Sequence, residues 1–151
     1  MQIVPGDFED SRVLDLLRVH LDGMHASSPP GNVFALDLTG LKAPEISFYT
    51  VWDGDALAGM GALKALGDGR GEIKSMRTHE AHMRKGVGAY LLEHIIGEAQ
   101  ARRYHRLSLE TGSGPAFDAA LSLYRRSGFV EGGAFGDYEK SEFNQFFHLA
   151  L

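Results

Sequence analysis

Residues 83–95, MRKGVGAYLLEHI, set two glycines one residue apart directly before an apolar run at helical spacing. Glycine is a poor helix former, so Gly86 and Gly88 stand at a helix start for some reason other than propensity. A helix N-terminus offers unpaired N–H groups and a partial positive charge, and it binds phosphate readily. Glycine lets the backbone approach an anion with no Cβ in between. Arg84 and Lys85, just upstream, lie where a phosphate would arrive. The stretch therefore predicts an anion cradle formed by residues 84–89.

Two familiar phosphate loops do not fit. The dinucleotide fingerprint G-x-G-x-x-G needs a third glycine, and Leu91 holds that position; the Walker A loop needs Gly-Lys-Ser/Thr, which is absent. What remains is a strand, a short loop, R/Q-x-x-G-x-G/A, and a helix. Upstream, EIKSMRT (72–78) reads as the strand, and downstream Leu91, Leu92, Ile95, Ile96 and Ala99 mark one helix face.

Working outward, SRVLDLLRVHLDGM (11–24) has helical spacing, with Asp10 or Ser11 as its cap. HASSPPGN (25–32) reads as a loop, and VFALDLTGL (33–41) as a short second helix. EISFYTVWDGDALAGMGALKAL (45–66) alternates around Asp53-Gly54, which predicts a hairpin, and GDGRG (67–71) supplies the next turn. HRLSLET (105–111) is a strand of buried type, PAFDAALSLYRRSG (115–128) a helix stopped by Gly128, and FFHLAL (146–151) a last strand. This order, a β-meander followed by β-α-β-α-β, predicts a mixed α/β fold in one domain over residues 1–151.

Composition bounds the function. The chain is 44% hydrophobic with a net charge of −5, and its basic clusters are mere pairs. Nucleic-acid binding calls for a basic footprint, so no nucleic-acid partner is expected. No apolar run approaches the roughly 20 residues that span a bilayer, and no secretory signal is visible; the expectation is a cytoplasmic protein with no membrane partner. The chain has no cysteine, which excludes disulfides, thiolate metal sites and a cysteine nucleophile. His79 and His82 are the closest histidine pair, without a third ligand nearby, so no metal is expected.

The glycine loop, its preceding strand and LYRRSGF (123–129) together resemble the GNAT superfamily of N-acetyltransferases, the last stretch matching its L-Y-x-x-x-G-F. The order of elements is similar almost from end to end. Two positions depart from the pattern: Met83 stands at the family's Arg/Gln position, and Phe117 replaces a frequent Asn.

The resemblance implies a central mixed sheet of about six to seven strands with about four helices, and acetyl-CoA as cosubstrate. It implies a pyrophosphate held by the amides of Arg84, Lys85, Gly86, Val87, Gly88 and Ala89. The strand before the loop would carry a bulge and splay, so that Met76, Arg77 and Thr78 bond the pantetheine arm. Tyr124 takes the place of the tyrosine that protonates the leaving thiolate, a role open to a phenol with a pKa of about 10. Glu72 takes the place of a general-base glutamate, although Lys74, on the same face by period-2 alternation, could hold it in an ion pair. His25 and Tyr138 are candidate contacts to the acceptor.

The implied function is acetyl transfer from acetyl-CoA to a primary amine of a small molecule or peptide, by direct attack in a ternary complex. The alternative is a catalytically silent acyl-CoA-binding sensor or subunit, which would need the glycine loop but neither Glu72 nor Tyr124. A homodimer is left open.

Overall fold

A computed structural model describes residues 1–151. A seven-stranded sheet in the order β1-β2-β3-β4-β5-β7-β6 organises the chain. Strand β1 (Gln2–Pro5) lies on one edge, beside the meander of β2 (Ile46–Asp53), β3 (Ala56–Gly67) and β4 (Arg70–Thr78). Strands β5 (Arg106–Thr111), β6 (Val130–Gly132) and β7 (Gln145–Ala150) complete it, and only β4 and β5 run parallel. The mixed sheet agrees with the expectation from sequence. The edge strands β1 and β6 were not foreseen, because three or four residues are too few to show alternation.

Four helices cover the sheet: α1 (Ser11–Ser27), α2 (Leu38–Leu41), α3 (Val87–Ala101) and α4 (Asp118–Arg126). Asp10 rather than Ser11 caps α1, its carboxylate accepting from Arg12 N–H. Helix α1 runs three residues past the expected end, taking in His25, which the sequence assigned to a loop. Pro115 begins a separate 3₁₀ turn (Pro115–Phe117), so α4 is shorter than PAFDAALSLYRRSG suggested.

Two apolar cores lie on the two faces of the sheet. Leu91, Leu92, Ile95 and Ala99 of α3 pack on Leu63 and Ile73. On the other face Val13, Leu16 and Leu17 of α1 pack with Met60 and Ala62. Both cores abut the region where β4 leaves β5.

Candidate active site

The site originates in a break in β4. Ladder partners run Glu72 to Lys64, Lys74 to Ala62, then Arg77 to Met60, so Ser75 and Met76 both oppose Gly61. This two-against-one register is a β-bulge, and Ser75 adopts φ +58° within it. The alternation therefore changes phase at Ser75. Glu72 and Lys74 share the α1 face with Arg77, whereas Met76 lies against Gly61, Leu91 and the α3 face. Sequence alternation had put Met76 and Thr78 on the face of Glu72; the bulge overturns that. Beyond Glu72 and Ser108 no ladder pair joins β4 to β5, so the strands part and open a cleft.

The glycine loop closes one end of that cleft. Gly86 is the N-cap of α3 at φ +79°, a left-handed conformation that glycine adopts without penalty. Arg84 also has positive φ, +63°. Tyr90 is the first amide of the turn to find a helical acceptor, Gly86 O at 3.0 Å; the amides of residues 84–89 donate to nothing within the protein. A Cβ on Gly86 would meet open space. Arg84 and Lys85 are exposed and form no ion pair with any acid. Free amides, open space and two unpaired cations fit a pyrophosphate.

A cavity of about 310 Å³ fills the cleft, and Glu72, Met76, Arg77, Thr78, Val87, Gly88 and Tyr124 all line it. Tyr124 is buried at the foot of α4, edge to face with Phe129 at 5.8 Å. Its hydroxyl has no protein partner, and burial pushes its pKa up to about 12. Glu110, on β5, lines the same cavity; burial, opposed by Lys74 and assisted by Glu72, pushes its carboxyl up to about 7. Ser75 contributes a buried Oγ with no hydrogen-bond partner. An orphaned hydroxyl in a cavity wall is a place for a ligand to bond.

Glu72 is 3% exposed and already engaged. Lys74 Nζ donates to its Oε2 at 3.1 Å and the Tyr138 hydroxyl donates to the same oxygen at 2.5 Å. Lys74 also donates to Tyr138 Oη at 2.7 Å. Tyr138 sits among Phe34, Phe135 and Phe146, and is absent from the cavity wall. Expected at the acceptor, it instead supports Glu72 from behind. His25 is likewise outside the cavity, exposed on the last turn of α1. His20 and Met24 of the same helix line it instead.

His20 is 5% exposed, and its Nδ1 accepts from Arg77 Nε at 3.0 Å. Burial, with help from the Arg77 charge, pushes His20 down to about 4, which keeps the ring neutral and able to accept.

Residues 13–129 match the acetyltransferase (GNAT) family. The chain belongs to that family. As a GNAT protein it is an acetyltransferase, and its relatives bear this out. It is 49% identical over 138 residues to the uncharacterized N-acetyltransferase YsnE of Bacillus subtilis, covering 91% of each chain. A Klebsiella pneumoniae structure assigned as an acyl-CoA N-acyltransferase superposes with TM-score 0.82 at 26% identity, covering 99% of this chain and 97% of that one. A Bacillus subtilis acetyltransferase solved in complex with CoA shares the fold, with TM-score 0.74 at 22% identity and coverage of 99% and 98%.

Against this GNAT frame, sequence reasoning missed Glu110, Ser75 and His20. An acidic residue inside HRLSLET, a strand of buried type, was the available signal for Glu110. Nothing local marks Ser75 as a bulge.

Proposed function

We propose that this GNAT protein transfers the acetyl group of acetyl-CoA to a primary amine of a small molecule or peptide, by direct attack within one cleft. One observation carries the reading: Glu110 and Tyr124 line the same cavity with proton affinities far apart. A carboxyl near 7 is half ionised at neutral pH and can take a proton from an ammonium. A phenol near 12 keeps its proton until a thiolate leaves and needs it. The base is thus Glu110, and Glu72 serves as the buried counter-ion of Lys74.

The amides of residues 84–89, with Arg84 and Lys85, would hold the pyrophosphate, and the bulged backbone at Met76, Arg77 and Thr78 the pantetheine arm. With no cysteine in the chain, no acyl-cysteine can form, so the amine attacks the thioester itself. Juxtaposing both reactants in one cleft supplies proximity and orientation.

The test is thiol release from acetyl-CoA across a library of primary amines. Amine-dependent release is expected. Acetyl-CoA binding with no release for any amine would leave the silent acyl-CoA-binding reading in its place.

A further inference from the structure

Among the cationic side chains of the cavity, Arg77 is the one with no counter-ion. Glu72 and Lys74 neutralise each other. No carboxylate lies within ion-pair distance of Arg77. Its guanidinium instead spends Nε on His20 Nδ1 and reaches His20 O from Nη2 at 3.4 Å, which leaves Nη1 without a partner. Half-burial lowers its pKa through desolvation. A cation so placed is costly unless something negative comes to it.

The fold is shaped around this side chain. Gly23 lies within α1, where glycine costs about 1 kcal/mol relative to alanine. A Cβ there would stand 2.9 Å from Arg77 Nη2, so the glycine gives the guanidinium its place against the helix. His20, one turn earlier on α1, is buried in neutral form to accept from Nε. The bulge at Ser75 is what turns Arg77 to the α1 face while Met76 faces α3, whose N-terminus carries the glycine loop. Arg77 therefore lies across the sheet from the pyrophosphate cradle, on the side left for the acceptor. The unpartnered Ser75 Oγ in the same wall marks a second polar position awaiting a ligand.

We propose that the acceptor is an amine that also carries a carboxylate, and that the Arg77 guanidinium binds that carboxylate at the α1 side of the cavity. A planar fork of N–H donors matches a carboxylate better than any neutral group. His20 and Gly23 are positioning residues that hold the fork. This inference rests on the amine-acetylation reading above and specifies its substrate class.

The experiment compares matched acceptors: amino acids of varied side chain, their carboxamides, and the corresponding decarboxylated amines. With the unaltered enzyme, kcat/KM should favour the free acid over its carboxamide by roughly 10- to 100-fold, mainly through KM. Arg77→Gln should bring that ratio to about 1. Gly23→Ala, which favours the helix yet displaces Nη2, should lower the ratio while the melting temperature holds or rises. Acids and carboxamides within twofold of each other would overturn the proposal, as would Arg77→Gln slowing both equally. Acetylation of carboxylate-free amines alone would also overturn it and leave amine acetylation standing. No acetylation of any amine would instead sink the broader reading, and this inference with it.

Discussion

Tyr138 donates its hydroxyl to Glu72, 66 residues earlier in the chain, at 2.5 Å. The bond ties the segment between β6 and β7 to the middle of β4, with Lys74 bridging both groups. Burial, then the Glu72 carboxylate, raises the tyrosine's pKa well above its ordinary value, so the phenol remains a donor throughout the working pH range. One oxygen of Glu72 thus accepts from a lysine and a phenol at once, which makes the side chain a joint between two distant segments of the chain.

Glu72→Gln should accordingly reduce stability and keep a pH limb in the profile. Removing one member of a buried ion pair costs about 3–5 kcal/mol, because the other charge is left uncompensated. The expected result is a lower melting temperature with a kcat/KM limb that survives but shifts to lower pH, because Glu110 loses the Glu72 charge that raises it and faces an unpaired Lys74. Loss of the limb altogether would return the base to Glu72.

Glu110→Gln should do the reverse. In the enzyme, kcat/KM is expected to climb with pH through a limb near 7, the value to which burial raises Glu110. The variant should lose that limb and roughly 10²- to 10⁴-fold in rate at neutral pH, recovering as the amine deprotonates unaided at alkaline pH. An intact limb in the variant would eliminate Glu110 as the base.

Stability should respond to the same group. Between its ordinary value of 4.5 and about 7, Glu110 is more protonated in the folded chain than in the unfolded one. The folded state binds more protons there, so stability falls as pH rises across that window and levels off above it. The drop should be on the order of 2 kcal/mol after allowing for solvent screening. Glu110→Gln should abolish this component in melting temperatures measured from pH 5 to 8; a slope kept in full would assign it to another group.

Tyr124→Phe should lower kcat by roughly 10²-fold with little change in acetyl-CoA affinity, because only the proton for the leaving thiolate is lost. Its hydroxyl has no protein partner to forfeit, so the melting temperature should hold. Equal turnover would make Tyr124 a core aromatic of α4 and nothing more.

Gly86→Val should weaken acetyl-CoA binding in a protein that still folds. The φ of +79° costs a β-branched residue about 1–2 kcal/mol, and no neighbour within 4 Å adds a clash. Calorimetry on the folded variant reads the affinity. Unchanged affinity would mean that the glycine serves the turn and not the anion.

Local chemistry made part of this protein legible in its sequence. Gly86 and Gly88 announce the proposed cradle because backbone freedom at a helix start belongs to the residues themselves, and apolar spacing sets the faces of α1 and α3 for the same reason. The bulge at Ser75 is different in kind. It arises from how β4 registers against β3, and it moves Met76 and Arg77 to faces that period-2 alternation assigns the other way round. Glu110 gains a pKa near 7 only when β5 parts from β4 and leaves it in a shared cavity. His25 and Tyr138 miss the cavity because α1 runs on through Ser27, and because the chain before β7 folds back onto Glu72. Each of these depends on contacts between segments far apart in the chain, whose energies no local pattern encodes.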